Sequence, residues 1–333
     1  MTQQIFTGIE AIKIMAANHY GLDKETFQHR IKWFDENEKA MIGEGVITTP
    51  GEAEKPILMA KALNAYYDAK NGNPTGYLCE LDATASGIQI MAALSGCANT
   101  AYEVNMVDPE NRIDAYNNVA AKMTRLIDER VERSEVKKPV MTHYYNSKET
   151  PKLYLSTKKL NAFYEVLEGA FTGAEEVMEA INNCWNPSAL AHTWTLPDGH
   201  VAHCRTMTYK KGETYVPEYD IDLEYVYWVN EGNHNYRSLA PNVIHSIDGY
   251  VARQMVRRAA DRGFELVHIH DCFMFHPNYF NDVTEMYRQI LAGIAEWNLL
   301  ADILSEITGK KVFVEKSTST LPELIRDSQY MLS

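Results

Sequence analysis

Residues 264–277 read FELVHIHDCFMFHP, a pattern that leaves little choice of fold. Val267 and Ile269 alternate before a polar break and Phe273 and Phe275 after it, and side chains two apart on a strand share a face. This predicts a two-stranded hairpin with His270 and Asp271 at its tip. A carboxylate at the end of an apolar hairpin is costly to enclose without a compensating charge. The segment GYLCELDATASGIQIMAALSG repeats the theme. It predicts a strand over 77–81, Asp82 at the strand end, a small-residue turn and an apolar helix from about Ser86. Either aspartate alone could cap its turn; together they supply the oxygen ligands that hard divalent cations take.

The rest of the chain is helix-rich. Two helices are expected within 8–41, the first ending on a glycine in GIEAIKIMAANHYG, and another over 56–70. Residues 112–136 predict one long helix. Between 192 and 230 the sequence turns β-branched and aromatic, with Pro197-Asp198-Gly199 and Lys210-Lys211-Gly212 as expected turns, so hairpins follow. Helices over 243–262 and 278–308 and a ragged tail complete the expectation. No repeat is present. No apolar run approaches the roughly 18 residues of a membrane span, and MTQQIFTGIEAIK does not resemble a signal peptide. Five scattered cysteines (Cys79, Cys97, Cys184, Cys204, Cys272) without a CxxC pair fit a reducing, cytoplasmic setting. A length of 333 residues suits two domains or one interrupted domain.

A net charge of −13 argues at first against nucleic acid, whose phosphates need cations. The charge is uneven, however. Residues 121–160 hold ten basic and five acidic side chains, a net of +5, while 161–240 hold four and twelve, a net of −8. A solvated helix face is one reading of the basic segment. Its interleaved Met141, His143, Tyr144, Tyr145 and Tyr154 support another, a cationic groove with stacking rings for nucleotides. Arg133, Lys137, Met141 and Tyr145 are spaced by four and share one helical stripe, although Pro139 within it predicts a kink or a helix start near Lys138. His268 and His270 would face the same way on a strand and could bind zinc in a hydrolase, but no HxxEH-type partner accompanies them.

In order along the chain, ELDATASGIQ, RSEVKKPVMTHYYNSKE, LAPNVIHSIDGY and VHIHDCF resemble the signature segments of the single-subunit, phage-type RNA polymerases, a family that includes the mitochondrial enzymes. The first is similar to motif A, the second to motif B (Arg, three residues, Lys, seven residues, Tyr) and the last to motif C. HRIKWFDENE, DAYNNVAAKM, TLPDG and LPELIRDSQYMLS also have counterparts in the right order, so the resemblance covers essentially the whole chain. It implies a mixed, helix-rich α/β fold, a right-hand palm and fingers without thumb or N-terminal domain. The first part of the palm would be 1–101, the fingers 102–245 and the second part of the palm 246–333. The hairpin region 205–240 falls where the family carries its promoter-specificity loop.

The resemblance further implies DNA-templated RNA synthesis from ribonucleoside triphosphates with two Mg2+ ions, and no membrane association. Asp82 and Asp271, with the Ala83 carbonyl, would hold the metals. Arg133 and Lys137, helped by Lys32, would bind the triphosphate. Tyr145 and His245 would sense the ribose, Tyr116 would support them, and His270 would position the primer end. Motif B ends Tyr-Gly in the family and Tyr145-Asn146 here. A DNA polymerase of the related family shares Arg-x3-Lys-x7-Tyr but places a bulky carboxylate after motif A, and Ala83–Gln89 holds none. A non-catalytic DNA-binding subunit is a third reading, against which both aspartates and both cations are present. Complete members carry an Asp-x-x-Gly-Arg segment, and this sequence has no Gly-Arg dipeptide. The expected partner is therefore a second polymerase subunit supplying that segment and the N-terminal region. The chain itself would be the larger, catalytic subunit of a heterodimeric phage enzyme.

Overall fold

The computed structural model describes residues 4–43, 46–229, 231 and 233–333. Helix α1 (Gly8–Ala17) starts on a reciprocal capping box, in which the Thr7 hydroxyl accepts from the Glu10 amide and the Glu10 carboxylate from the Thr7 amide. It widens into a π-turn over Asn18–Leu22, where Gly21 takes φ 125°, a backbone state open to glycine. Helix α2 (Phe27–Met41), two short strands β1 (Ile42–Gly43) and β2 (Val46–Ile47), and helix α3 (Pro56–Lys70) follow. These N-terminal elements enclose a small core of Ile12, Phe34, Met59, Leu63 and Tyr66.

Strand β3 (Cys79–Asp82) leads through the small-residue turn into α4 (Ser86–Ser95), which has eight of its ten residues buried, and α5 (Ala98–Glu103). Buried Gln89 on α4 is a polar hub. Its amide donates to the Met331 and Val104 carbonyls, and its oxygen accepts from the Tyr287 hydroxyl. Next come α6 (Ala115–Ile127), α7 (Arg133–His143), α8 (Glu149–Tyr154), α9 (Thr157–Ala170) and α10 (Thr172–Asn182). The single long helix expected over 112–136 is two. Asp128 reverses the chain at φ 51°, the Val131 amide folds back onto the Thr124 hydroxyl, and Glu132 and Glu135 form a fresh capping box. Pro139 lies inside α7 without displacing its start to Lys138. In so short a helix, proline forfeits one backbone bond.

Two antiparallel hairpins follow, β4 (Ala191–Thr195) with β5 (Val201–Arg205), and β6 (Thr208–Val216) with β7 (Ile221–Val229). Pro197-Asp198-Gly199 forms the first turn, with Gly199 at φ 81°. Lys210-Lys211-Gly212 forms no turn but lies within β6. Across the pair the exposed Tyr225 ring folds over Gly212, 2.4 Å from where a Cβ would sit. Reversal occurs instead beyond Val216, with Asp220 at φ 50°.

Helix α11 (Leu239–Asp261) precedes β8 (Leu266–Ile269) and β9 (Cys272–Phe275), the hairpin expected around His270 and Asp271. The central sheet has the order β3-β9-β8, all antiparallel. Leu81, Phe273 and Phe275 enter the main core beside Ile90, Phe280 and Tyr287, the last two from α12 (Phe280–Glu296). Helices α13 (Leu299–Thr308) and α14 (Leu321–Asp327) complete the helices. The tail expected to be ragged is buried from Ser328 to Leu332. Met331 and Ser333 bond Thr84 and Asp82 on either side of the Ala83–Leu332 bridge. The fold class is the expected mixed, helix-rich α/β. Among the described residues no helix is long and apolar enough to cross a membrane.

Candidate active site

Pairing register builds the site floor. Asp82 lies opposite Cys272, and the Ala83 amide donates to the Asp271 carbonyl at 3.2 Å, so the two aspartates meet across the β3–β9 ladder. Alternation sends Leu81 into the core and Asp82 into a cleft of about 620 Å³. His270 turns the hairpin at φ 55°, a left-handed state uncommon for a residue with a Cβ. Both His270 and Asp271 line the cleft. Among the described residues neither aspartate has a cationic side chain within 4.0 Å. Enclosure by the cleft walls, reinforced by the negative charge of Asp271, pushes the Asp82 carboxyl up to about 6, with Lys137 opposing. Asp248 on α11 is a third cleft carboxylate, raised to about 6 by burial and then by Asp271.

Above this floor stands α7. Arg133, Lys137, Met141 and Tyr145 all reach the cleft, as their spacing predicts. Arg133 is held from two sides. Its Nε donates to Asp114 Oδ2 at 2.7 Å, and its guanidinium lies 5.3 Å from the Tyr116 ring centre. Tyr116 also lines the cleft, and burial raises its phenol to about 12 against the pull of Arg133. Tyr145 stacks on His245 of α11 with ring centres 4.7 Å apart and planes 6° from parallel. Gly87 makes room for it, since a Cβ there would lie 3.1 Å from the Tyr145 hydroxyl.

Lys32 is the exception among the expected site residues. Helix α2 buries Phe27, Arg30, Ile31 and Phe34, which turns Lys32 to solvent, where it pairs with Glu36 at 3.8 Å outside the cleft. The cations that do line the cleft beyond α7 are Lys24, Lys55 and Arg112. Sequence reasoning missed these and Asp248. Lys24 and Arg112 lie in loops whose local patterns say nothing about a cleft, whereas Asp248 follows His245 by one helical turn and was findable by that spacing. Arg30, next to the expected cluster, is wholly buried. It donates to the carbonyls of Asp23 and Glu25, to Asn18 Oδ1 at 2.8 Å and to the Ser333 hydroxyl at 2.6 Å, and so shapes the turn that carries Lys24. The zinc alternative gains no support. The described residues contain no group of three or more metal-ligating side chains, and His268 Nδ1 faces the His270 carbonyl at 3.1 Å.

Comparison with known proteins bears on this cleft. A family model described as DNA-dependent RNA polymerase matches residues 6–210 and 205–327. The chain is 25% identical over 225 residues to the mitochondrial DNA-directed RNA polymerase of Schizosaccharomyces pombe, covering 54% of this chain and 19% of that protein. It is 32% identical over 138 residues to the DNA-directed RNA polymerase of Pseudomonas phage phiKMV, covering 38% and 16%. With the chloroplastic DNA-directed RNA polymerase 3B of Nicotiana tabacum, 22% identity extends over 90% of this chain and 36% of the relative. The chain thus spans between 16% and 36% of the length of these three relatives. With a family match over nearly all of its length, the chain belongs to the single-subunit, phage-type family of DNA-dependent RNA polymerases.

Proposed function

We propose that this chain carries the nucleotidyl-transfer centre of a DNA-directed RNA polymerase, with the aspartate pair as metal ligands and the α7 cations as the phosphate clamp. The observation that carries the proposal is the register that sets Asp82 beside Asp271, un-neutralised, below Arg133 and Lys137. Two like charges held together by backbone bonds fit hard divalent cations, and Mg2+ suits oxygen donors. The Ala83 carbonyl takes no part in the bonds that clamp its neighbours and is proposed as a third donor. Two such ions, when bound, activate the primer hydroxyl and neutralise charge on the triphosphate. The chain's own side chains do the remainder. Arg133, preorganised by Asp114 and Tyr116, and Lys137 grip the phosphates, with Lys24 and Arg112 as further cations in place of Lys32. Tyr145 and His245 face the ribose, and His270 orients the primer end. The lack of a carboxylate over Ala83–Gln89 favours ribonucleotides over the DNA-polymerase reading.

In this reading residues 1–101 and 246–333 form the palm and 102–245 the fingers, with the β6–β7 hairpin as the promoter-specificity element. The parts of such an enzyme that these residues do not carry are proposed to come from a second polypeptide. The relatives hold their matched region inside one longer chain, so primer extension on a DNA template by the 333 residues alone is the deciding experiment. Robust unaided synthesis would remove the second subunit. No synthesis even with the remaining polymerase regions added would remove the catalytic reading.

Tyr145→Phe is expected to lower the preference for rNTP over dNTP by about tenfold or more, the scale of one lost hydrogen bond to a polar partner. Competition between the two substrates in primer extension measures this, and unchanged discrimination removes Tyr145 from sugar selection. A second expectation concerns pH. Asp82 and Asp248 sit near 6 in the folded chain against an ordinary 3.8, so the folded state binds more protons than the unfolded one between those values. Stability therefore falls as pH rises through about 4 to 6, and a cation at the aspartates restores it. Millimolar Mg2+ should raise the thermal midpoint by about 2–4 °C at pH 8 and hardly at all at pH 5. Equal shifts at both pH values would contradict the metal assignment.

A further inference from the structure

We propose that Asn146 is a positioning residue that fixes the Tyr145 ring, and through it the choice of sugar, by clasping Asn182 and Arg237. The inference rests on the reading of Tyr145 and His245 as the ribose-facing pair. Position 146, a glycine in the motif this chain resembles, has φ 59°. Asparagine is among the few residues with a side chain that adopt this state readily, so the backbone requirement is met. Asparagine also brings an amide that glycine lacks. Asn146 is only 7% exposed. Its Nδ2 donates to Asn182 Oδ1 at 2.9 Å and to the Arg237 carbonyl at 3.2 Å, while Asn182 Nδ2 donates back to Asn146 Oδ1 at 3.1 Å.

Those partners matter because of where they lie. Asn182 is the last residue of α10, and Arg237 sits in the short 3-10 turn, Tyr236–Ser238, that feeds directly into α11. Helix α11 carries His245, whose ring forms the other half of the Tyr145 stack. One buried side chain therefore ties the end of the α7 stripe to the root of the helix it stacks against. The Tyr145 hydroxyl sits close over Gly87, where a Cβ would lie 3.1 Å from it and press it aside. A small rotation about position 146 would part the rings and re-aim that hydroxyl, and misplacement on that scale is costly in catalysis.

Asn146→Gly keeps the required backbone state and deletes the clasp, and Asn182→Ala removes its two bonds to α10 while leaving the bond to the Arg237 carbonyl. Asn146→Gly is expected to lower rNTP-over-dNTP discrimination in primer extension by about tenfold and Asn182→Ala by part of that, and the double variant should lose no more than Asn146→Gly alone. Discrimination at the wild-type level in both single variants, whatever their thermal midpoints, would overturn the proposal. An NMR measurement independent of activity accompanies it. The His245 ring-proton resonances, shifted by the stacked Tyr145 ring, should move toward their unstacked positions in both variants. If the wild-type protein incorporates neither kind of nucleotide, the sugar-selection reading of the site falls. The His245 resonances then decide the clasp alone, and their persistence at wild-type positions in Asn146→Gly and Asn182→Ala would refute it.

Discussion

Asp271→Asn should reduce nucleotide incorporation on the order of a thousandfold or more, the cost of losing about 4 kcal/mol of charge stabilisation by a bound cation, while the protein stays folded. The substitution is isosteric, and the Asp271 carbonyl that receives the Ala83 amide belongs to the backbone, so the β3–β9 ladder is untouched. Stability should hold or rise slightly, because the negative charge of Asp271 is one of the causes that keep the Asp82 and Asp248 carboxyls elevated. Primer extension and thermal unfolding on the same preparation check both halves. Incorporation within tenfold of wild type would show that the aspartate pair is not the metal site. A parallel loss of fold would return Asp271 to the plainer role of capping its turn.

Arg30→Met is expected to have the largest effect on stability, about 3 kcal/mol in urea unfolding, the upper end of what leaving enclosed hydrogen-bond acceptors without a donor costs. Methionine replaces the arginine stem against the Phe27 ring but none of its donors. The carbonyls of Asp23 and Glu25 and the Asn18 amide oxygen then lose the guanidinium in a half-buried region, while the Ser333 hydroxyl keeps only Arg112. Among the described residues Arg30 has no carboxylate within ion-pair distance, so neutral acceptors hold its guanidinium while Asp23 and Glu25 act on its charge from farther away. Arg30→Lys should rescue little, since one ammonium cannot span acceptors on two chain segments. A loss below 1 kcal/mol for Arg30→Met would mean that water replaces the guanidinium and that the turn carrying Lys24 holds its own shape.

How far these features were legible depended on whether the signal was local. The aspartates could be read because strand alternation and a lone charge coincide at each, and the α7 stripe because spacing of four survives the inserted proline. The 112–136 break was not legible: Asp128 and the Thr124–Val131 bond stop a helix whose periodicity runs on past them. The position of Lys32 was legible in a different way. Buried Phe27, Ile31 and Phe34 already mark one face of α2, and a residue one step beyond Ile31 points well away from it. The helical face thus already placed Lys32 away from the cleft, a signal the motif outweighed. The tail was misjudged because LPELIRDSQYMLS has neither strong periodicity nor strand alternation, and contacts distant in sequence, with Asp82, Thr84, Gln89, Arg30 and the Phe27 ring, give it order.

The clasp between that tail and Asp82 has a consequence for biosynthesis. The Asp82 carbonyl receives its bond from the Ser333 amide, and the Thr84 amide gives its bond to Met331. A nascent chain can pair β3 with β9 once both have emerged, yet the turn after Asp82 stays unclamped until residues 331–333 have left the ribosome. Closure of the cleft thereby waits for residues far downstream of the first aspartate, and is insensitive to how early that aspartate was made.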